Sequence, residues 1–483
     1  MRIAMFSPEI APFAKTGGLG DVVGTLAAAL ERQGHQLYLV LPAYRVVLAG
    51  GFSLAETGER VSGSVSGRAV QGEVLKTALG ERTEVFLIRA DRYFDREALY
   101  GTAGGDYPDN AERFVFFCRA ALELLRRRPV DLLHCHDWQA ALGIVFLRAQ
   151  PERYPELAPV KTVFTIHNLG FQGIFPETDW PLLELDRRFF SPRALEFYGR
   201  INFLKGALVF ADKITTVSPS YAREIMETEQ GFGLQGVLRE RAADLTGILN
   251  GVDYGQWNPE TDPFIAAPYG PARLEGKRRC KESLARELGL PYRPDRPLIG
   301  MISRLTSQKG FDLVQSALER LLDRELQLVL LGSGEERYER FFVRAAERFP
   351  EKLAVRIGFD EALAHRIEAG ADLFLMPSLY EPCGLNQMFS LKYGTLPIVR
   401  AVGGLRDTVS DYDPSRRTGT GFVFEPYEPE ALLGAVDRAL RAFADPEEWA
   451  ALQRRAMSAD FSWERSSRAY SALYRELVGL KSG

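Results

Sequence analysis

The sequence predicts an α/β protein that contains two doubly wound parallel sheets. Short apolar runs alternate with helix-like segments along its 483 residues, a pattern typical of parallel sheets that carry helices on both faces. A polar stretch with two prolines, residues 257–263, separates one such series from the next. The length also exceeds that of a usual single domain. We therefore expect two domains facing a deep cleft: residues 1–248, rejoined by a C-terminal helix at 461–483, and residues 249–460.

The first series opens with a strand, a loop and a helix. Residues 3–7 form a short apolar run, and the segment from Asp21 to Gly34 has apolar residues at helical spacing before a glycine stop. The same alternation returns further along the chain. It predicts strands at residues 37–41, 130–134, 162–166 and 213–217.

The second series repeats this layout without repeating the sequence. Its strands are predicted at residues 298–302, 327–331, 354–357, 373–376 and 397–400. Both series begin alike, with a strand, a loop that carries a lysine near glycine, and a helix. The last helix-like stretch, residues 463–480, comes after the strands of the second series. We therefore expect it to return to the first domain.

Composition and charge exclude several classes of protein. With 46% hydrophobic and 26% charged residues, the chain is typical of globular proteins. A net charge of −4 provides no global positive field for nucleic acid or an anionic membrane. No signal peptide and no apolar run of ~18 residues is evident. The four cysteines are widely spaced and predict neither disulfides nor a structural metal. We expect a cytoplasmic protein.

A glycine-rich loop follows the first predicted strand. In Lys15-Thr-Gly-Gly-Leu-Gly-Asp21, a cation and glycines that permit close backbone approach precede a helix start. This combination suits a phosphate or a sugar. The loop is neither a Walker A motif nor GxGxxG, and the alternative is an ordinary glycine turn with a solvated lysine.

Two cations follow the first strand of the second series. Arg304 and Lys309 are expected at the carboxyl edge of that sheet, where open parallel sheets bind ligands. A planar guanidinium and a compact ammonium together suit a diphosphate, and they can neutralise a leaving group whose negative charge grows. The alternative is a solvated loop.

A carboxylate and a helix start follow the predicted strand at 373–376. In Glu381-Pro-Cys-Gly-Leu-Asn-Gln, the carboxylate is placed to accept hydrogen bonds from sugar hydroxyls, and the N–H groups of residues 383–386 can bind an anion or hydroxyls. A helix cap is the simpler explanation of a glutamate at such a position.

Histidines end two strands of the first series. His134-Cys-His136-Asp137 resembles a metal site only in residue types, because neighbours on a strand point to opposite faces and no second cluster completes four ligands. A polar cluster at the strand end is expected instead. His167 follows the strand predicted at 162–166, and the alternative to a functional role is a buried histidine whose ring is hydrogen-bonded in the core.

The DxD pattern at 411–413 lies in a proline-marked loop and is interpreted as a solvated turn.

Taken together, these segments resemble those of bacterial and plastid glycogen and starch synthases. Six motifs occur in the family's order over nearly the whole chain, which is more specific than any one motif. They are Lys15-Thr-Gly-Gly-Leu-Gly-Asp-Val, His134-Cys-His-Asp-Trp-Gln-Ala, Phe164-Thr-Ile-His-Asn-Leu-Gly-Phe-Gln-Gly, Ile248-Leu-Asn-Gly-Val-Asp, Ser303-Arg-Leu-Thr-Ser-Gln-Lys-Gly and Glu381-Pro-Cys-Gly-Leu-Asn-Gln.

The resemblance implies a retaining glycosyltransferase of the GT-B fold, with two Rossmann-like domains. Such an enzyme transfers glucose from ADP-glucose to the non-reducing 4-hydroxyl of an α-1,4-glucan. The N-terminal domain would lie on the acceptor side and the C-terminal domain would bind the nucleotide sugar. Neither a metal nor pyridoxal phosphate is implied as a cofactor, and neither nucleic acid nor a membrane is implied as a partner.

The resemblance also implies roles around the donor phosphates. Lys15, with the backbone of Gly17 and Gly18, would contact the phosphates, and Asp21 would lie close to the nucleotide. Arg304 and Lys309 would hold the diphosphate.

Around the donor glucose, Glu381 and the N–H groups of Cys383 and Gly384 would form hydrogen bonds with the sugar. The N–H groups of Leu385 and Asn386 would reach a phosphate. Asn386 stands where some relatives have threonine, which matters little if only its N–H is used.

His167 would lie beside the anomeric carbon, in the loop that continues with Asn168. Asp137 and Asn250 would shape the sugar pocket. Phe359 falls where the family often has an aromatic residue against adenine, and Tyr93 is a candidate for the glucan side. Related retaining transferases carry a second glutamate eight positions after the first, where this chain has Phe389.

Two mechanisms and three other functions stay open at this point. One mechanism is front-face attack, in which the acceptor hydroxyl approaches from the leaving-group side; the other is a double displacement through a covalent intermediate, which requires a carboxylate nucleophile. We prefer the front-face path, because no carboxylate is marked as a nucleophile. A phosphorylase would need a Schiff-base lysine. A nicotinamide dehydrogenase would need GxGxxG with a distal acid. A non-catalytic glucan-binding protein would bind glucan without consuming ADP-glucose.

Overall fold

The computed structural model describes residues 1–102 and 104–480, which form two compact units. Unit 1 comprises residues 1–217, 222–251 and 463 onward, and unit 2 comprises residues 218–221 and 252–462. Each unit contains a parallel sheet with helices between successive strands. The predicted α/β class with two doubly wound sheets is therefore confirmed. The acceptor-side and donor-side roles of the two halves stay predictions.

Unit 1 is organised on a large sheet whose central strands are apolar on both faces. Within the described residues, its strands run in the order β14-β13-β9-β8-β1-β2-β5-β4-β3. The strands of this half are β1 Arg2–Phe6, β2 Gln36–Pro42, β3 Ala55–Val65, β4 Arg68–Ala78, β5 Thr83–Arg89, β6 Gly101–Thr102, β7 Gly105–Asp106, β8 Leu132–His136, β9 Lys161–Ile166, β10 Ile174–Pro176, β11 Glu196–Phe197, β12 Arg200–Asn202, β13 Lys213–Thr216 and β14 Leu245–Gly247.

The helices of this half connect and cover those strands. They are α1 Gly18–Arg32, α2 Arg45–Ala49, α3 Asp91–Phe94, α4 Asn110–Leu125, α5 Asp137–Ala149, α6 Trp180–Leu183, α7 Phe203–Phe210 and α9 Gln235–Glu240. Helix α8 Pro219–Glu224 begins within residues 218–221, which belong to unit 2. Short 3-10 helices lie at Pro155–Leu157, Glu177–Asp179, Arg187–Phe189 and Ala242–Asp244.

One edge of this sheet is antiparallel, and the sequence did not predict it. Strands β3 and β4 pair with each other and with β5 in antiparallel register. Ser66 and Gly67, with φ values of 51° and 73°, form the two-residue turn between β3 and β4. The first half of β3 is largely exposed, so it lacks the apolar run that marked the central strands.

Unit 2 has a smaller, entirely parallel sheet in the order β17-β16-β15-β18-β19-β20 among the described residues. Its elements along the chain are α10 Glu275–Leu288, β15 Leu298–Ile302, a 3-10 turn at Ser307–Lys309, α11 Phe311–Leu322, β16 Gln327–Gly332, α12 Glu336–Arg348, β17 Leu353–Ile357, α13 Glu361–Gly370, β18 Leu373–Met376, α14 Asn386–Lys392, β19 Leu396–Arg400, α15 Gly403–Thr408, β20 Phe422–Phe424, α16 Pro429–Phe443 and α17 Pro446–Met457. Strand β20 was not predicted.

The proline-punctuated stretch that the sequence marks as a linker is packed onto unit 2. The ring of Trp257 stacks between those of His365 and Phe389, at centroid distances of 3.8 and 4.0 Å. Asp262 accepts a hydrogen bond from the Tyr393 hydroxyl at 2.5 Å. Phe389, eight positions after Glu381, is thus an anchor for this stretch.

The last helix, α18 Trp463–Leu477, belongs to unit 1 and packs beside α1. Ser467 and Ser471 bond to Gln33 and His35 at 2.6 and 2.8 Å. The Tyr474 hydroxyl lies 2.8 Å from Nδ1 of His134, at the centre of the sheet. These contacts fix the helix against the strand that carries the histidine motif. Each helix of the described chain is too short or too polar to cross a bilayer.

Candidate active site

The loop after β15 carries the two predicted cations of unit 2. Arg304 is exposed and makes no side-chain hydrogen bond or ion pair within the described chain. Lys309 closes the 3-10 turn at Ser307–Lys309, and its Nζ lies 2.6 Å from Oε2 of Glu381. Gly310 follows with φ of 80°, and a Cβ there would lie 2.2 Å from the carbonyl oxygen of Pro377. Glycine at this position lets the lysine loop lie against the segment that follows β18.

Glu381 is held from several directions. Its side chain is 5% exposed, and its carboxylate accepts a hydrogen bond from the Ser378 hydroxyl at 3.0 Å in addition to the one from Lys309. Its backbone carbonyl accepts from the N–H of Gly404 at 3.1 Å. The carboxylate and the ammonium therefore come together at the ends of β15 and β18, which are neighbouring strands.

Two adjacent glycines, Gly403 and Gly404, lie against the backbone of the Glu381 segment. A Cβ on Gly403 would lie 1.9 Å from the carbonyl oxygen of Glu381, and one on Gly404 would lie 2.1 Å from that of Cys383. Real Cβ atoms do not approach backbone oxygens so closely. The start of α15 can therefore pack against residues 381–383 only because both side chains are absent.

The turn into α14 is ordered by side-chain amides. Gly384 has φ of 72°, which a side chain rarely tolerates. The amide of Gln387 donates to the carbonyl oxygens of Cys383 and Gly384 at 3.0 and 3.1 Å. The amide of Asn386 donates to the Ile302 carbonyl at the end of β15, at 2.7 Å. The Asn386 side chain is thus engaged with the sheet. Leu385 precedes the first residue of the helix.

Phe359 stands at the carboxyl end of β17, on the same edge of the unit 2 sheet. It is 82% exposed, which is unusual for a phenylalanine. A ring in this position can stack on a planar ligand without disturbing the core.

In unit 1, the glycine-rich loop is organised by a residue that the sequence analysis missed. Glu9 is buried, and its carboxylate accepts hydrogen bonds from the N–H and hydroxyl of Thr16 at 2.6 and 2.8 Å. The Tyr100 hydroxyl donates to the same group at 2.7 Å. The exposed Lys15 pairs with Asp21 at 3.3 Å.

Gly17 caps α1, and Gly18 is its first residue. Both are exposed. A Cβ on Gly17 would meet nothing within 4 Å, so the space beside this helix start is open. The loop thus presents backbone and a cation at the carboxyl end of β1.

The histidine motif and His167 meet at the ends of β8 and β9. Nδ1 of His136 lies 3.0 Å from Nε2 of His167. The rings of His134 and His136 are 4.0 Å apart, and Nε2 of His134 lies 2.5 Å from the Thr165 hydroxyl. Burial lowers the pKa of both His134 and His167 to about 3. Burial also lowers the pKa of His136 well below its usual range, so all three rings are neutral at physiological pH.

Asp137 fixes the backbone of the loop after β9. Its carboxylate accepts from the His167 N–H at 2.8 Å and also from the N–H of Asn168. Burial raises the pKa of this carboxyl to about 7, and the nearby Glu9 charge adds to the rise. Asp137 also has φ of 56°, in the left-handed region, which aspartate adopts more readily than most residues and which recurs at functional sites.

Asn250 and Tyr93 are both buried, but only Asn250 has a side-chain polar atom without a partner in the described chain. Asn250 is 4% exposed, and its Oδ1 is buried with no partner in the described chain. Tyr93 is 1% exposed, and its hydroxyl donates to Glu112 at 2.5 Å. Its ring packs against Phe116 in the core of unit 1. Tyr93 therefore has no ring face open to a glucan, and we leave it out of the proposed site.

No cluster of possible metal ligands occurs in residues 1–102 and 104–480. In the DxD pattern, Asp413 accepts from the N–H and hydroxyl of Ser415 at 2.8 and 2.6 Å. Asp411 pairs with Arg438 at 2.6 Å. These aspartates are committed to a turn and to an ion pair.

Sequence reasoning missed Glu9, Gly403, Gly404 and Tyr474. A usable signal existed for the glycine pair, since two adjacent glycines shortly after an apolar strand indicate close backbone approach. A glutamate just after the first strand is a weaker signal. No local sequence signal marks Tyr474, because its partner His134 lies 340 positions away.

Comparison with known proteins adds two family models that together cover most of the chain. The model described as "Starch synthase catalytic domain" matches residues 2–240, and the model described as "Glycosyl transferases group 1" matches residues 289–455. The boundary between the two matches lies in the same part of the chain as the change from unit 1 to unit 2.

Curated relatives match over the full length. A glycogen synthase of Anaeromyxobacter dehalogenans is 50% identical, with 99% of this chain and 100% of the relative covered. Glycogen synthase 2 of Geobacter sulfurreducens is 45% identical, with both chains fully covered.

Among solved structures, the catalytic domain of starch synthase IV from Arabidopsis thaliana, bound to ADP and acarbose, is similar with a TM-score of 0.90. It is 35% identical, and 99% of each chain is covered. A sucrose-phosphate synthase of Thermosynechococcus elongatus, at 18% identity and a TM-score of 0.62, shares the fold. The expected resemblance is confirmed, and the chain belongs to the glycogen and starch synthase family of glycosyltransferases.

Proposed function

We propose that this glycosyltransferase moves a glucosyl unit from ADP-glucose to the non-reducing 4-hydroxyl of an α-1,4-glucan with retention of configuration. Support comes from the full-length relatives named glycogen synthase and from the similar starch synthase domain bound to ADP and acarbose. Within the molecule, the proposal depends on one observation, the Lys309–Glu381 pair at 2.6 Å, whose lysine lies in the same loop as the exposed Arg304.

This pair brings together a cation for the diphosphate of the donor and a carboxylate for the hydroxyls of its glucose. Breaking the bond between the anomeric carbon and the β-phosphate releases negative charge on ADP, which Arg304 and Lys309 neutralise. Glu381 accepts hydrogen bonds from hydroxyls of the glucose, and the N–H groups of Cys383 and Gly384 bind the same sugar. The N–H groups of Leu385 and Asn386 reach a phosphate, and Phe359 stacks on adenine.

For residues of unit 1, we propose the roles that the family resemblance implies. Lys15 and the backbone of Gly17 and Gly18 contact the donor phosphates, with Asp21 near the nucleotide. His167 lies beside the anomeric carbon, and Asn168, Asp137 and Asn250 shape the sugar pocket. The buried and unpartnered Oδ1 of Asn250 supports this role, since buried polar atoms are normally bonded and a ligand hydroxyl would satisfy it.

The reaction is proposed to follow a front-face path. The acceptor hydroxyl attacks from the side that the phosphate leaves, and the departing phosphate takes the hydroxyl proton. The backbone carbonyl near His167 stabilises the cationic sugar. Glu381, the buried carboxylate beside the donor, is bonded to Lys309 and Ser378. It is therefore positioned as a binding group rather than as a nucleophile.

Glucose transfer into a glucan primer tests the proposal. The intact chain is expected to consume ADP-glucose faster than UDP-glucose and to be unaffected by a chelator. Lys309→Ala and Glu381→Ala are each expected to reduce turnover about a hundredfold. Glu430→Ala is a matched control, because it removes an exposed ion pair with Arg320 in the same unit. Glucan binding without transfer would contradict the proposal and favour a non-catalytic glucan-binding protein.

A further inference from the structure

The bond between His136 and His167 restricts where each ring carries its proton. Both rings are neutral, because burial lowers the pKa of His167 to about 3 and the pKa of His136 well below its usual range. Each neutral imidazole has one N–H and one lone pair. Since Nδ1 of His136 and Nε2 of His167 lie 3.0 Å apart, one of these atoms must donate and the other must accept.

The other nitrogen of His136 distinguishes the two arrangements. Nε2 of His136 is buried and has no partner in the described chain. If His167 donated, this orphaned atom would have to carry a proton. If His136 donates through Nδ1, its Nε2 carries only a lone pair. Orphaned buried N–H groups are rarer than orphaned acceptors, so the second arrangement is favoured.

The free nitrogen of His167 then becomes a donor. Nδ1 of His167 makes no hydrogen bond in the described chain, and it is not among the buried unpartnered atoms. It is therefore open to a ligand. With Nε2 occupied as an acceptor, the only proton on the neutral ring is at Nδ1.

We propose that His136 is a positioning residue that donates its Nδ1–H to Nε2 of His167 and thereby makes His167 a hydrogen-bond donor to the sugar. This inference rests on the proposed function for the identity of the ligand. A histidine held in this form offers Nδ1–H to an oxygen of the donor and has no free lone pair with which to remove a proton. It stabilises the sugar in place, and the acceptor proton leaves by another route.

The tautomer can be read directly by NMR of the intact chain labelled with ¹⁵N-histidine. The chain contains only five histidines, and single substitutions assign their signals. His167 is expected to show a protonated Nδ1 and an unprotonated Nε2. A protonated Nε2 in the unmodified protein would overturn the proposal, whether or not any variant folds.

Three variants separate positioning from simple loss of structure. His136→Phe removes the donor, and the His167 signal is expected to shift toward the Nε2–H form. His136→Asn keeps an N–H at the same distance from the backbone and is expected to retain the Nδ1–H form and most of the transfer activity. His35→Phe removes another buried histidine of unit 1, whose ring bonds to Ser471, and is expected to leave His167 unchanged.

The two proposals fail in different ways. If His136→Phe leaves the His167 tautomer unchanged, the positioning role is wrong even though glucose transfer is observed. If the chain transfers no glucose but His167 carries its proton on Nδ1, the positioning role stands and the proposed function fails.

Discussion

Gly404 lies so close to Cys383 that a Cβ on the glycine would be 2.1 Å from the cysteine carbonyl oxygen. The contact is backbone against backbone, so no flexible side chain can move aside. Gly404→Ala is therefore expected to displace residues 381–384, to reduce glucose transfer roughly a hundredfold and to cost ~1–3 kcal/mol of stability. Turnover and urea unfolding measure the two effects.

The control for this substitution is Gly434→Ala. Gly434 also lies in a helix of unit 2, but a Cβ there would meet nothing within 4 Å. This variant is expected to keep full activity and to gain ~0.5–1 kcal/mol from better helix propensity. Equal activity of the two variants would contradict the role assigned to the close contact.

Glu381→Gln tests the charge balance of the Lys309 pair. The amide keeps the shape of the carboxylate but no longer neutralises the ammonium, so the diphosphate meets a stronger positive charge. Affinity for ADP is expected to rise about three- to tenfold, equivalent to ~1 kcal/mol, while turnover falls about a hundredfold. Calorimetric titration with ADP measures the first change. Weaker ADP binding in this variant would contradict the proposed contact between Lys309 and the diphosphate.

Asp137 combines a left-handed backbone with a carboxylate that accepts two backbone hydrogen bonds, and three substitutions separate these contributions. Asp137→Asn keeps an acceptor and tolerates positive φ. Asp137→Gly adopts the positive φ freely but leaves the N–H groups of His167 and Asn168 without this acceptor. Asp137→Ala has both defects and is expected to be at least ~2 kcal/mol less stable than Asp137→Asn. Urea unfolding at constant pH measures the series, and equal stability of Ala and Asn would show that neither feature matters.

His134 should contribute to acid sensitivity. Its pKa is about 3 in the folded chain, whereas an unfolded histidine has a pKa near ~6.5. Between these values the unfolded chain binds a proton that the folded chain does not, so the contribution of His134 to stability falls as the pH falls from about 6.5 to 3.

His134→Phe is therefore expected to make the loss of stability with acid shallower by up to ~1.4 kcal/mol per pH unit. Tyr474→Phe is the control, because it breaks the 2.8 Å bond to His134 without removing the titrating ring. Unfolding free energies measured from pH 4 to pH 7 compare the slopes. An unchanged slope in His134→Phe would show that the ring does not titrate as its burial implies.

Phe359 is expected to matter for nucleotide affinity and not for folding. Because its ring is 82% exposed, Phe359→Ala should change stability by less than ~0.5 kcal/mol but weaken ADP binding roughly tenfold through lost stacking. Phe359→Tyr keeps the ring and should bind ADP normally. Tyr198→Ala, in which an 81% exposed ring of unit 1 is removed, serves as the control. Unchanged ADP affinity in Phe359→Ala would place adenine elsewhere.

The sequence predicted the elements whose cause is local. The apolar runs at β15 and β18 are marked by composition alone, and the rule that ligands gather at carboxyl ends of parallel strands placed Lys309 and Glu381 at one edge. Strand β8 begins two residues later than predicted. The β3–β4 hairpin was not predicted, because its exposed residues give no continuous apolar run.

Contacts between distant residues were beyond sequence reasoning. The Glu9 carboxylate bonds to Tyr100 across 91 positions, and nothing local to either residue indicates the other. Tyr93, which the resemblance made a candidate for the glucan side, is a buried residue whose hydroxyl donates to Glu112. Residue type alone does not report burial.

The return of α18 to unit 1 has a consequence for biosynthesis. Domains usually fold as they emerge from the ribosome, beginning at the N-terminus. The strands of unit 1 are translated early. Tyr474, whose hydroxyl bonds to His134, is translated only after residues 252–462 of unit 2. The contiguous stretch at 252–462 can complete its fold first, and nascent chains that stall before residue 463 would expose the unfinished flank of α1 to chaperones and proteases.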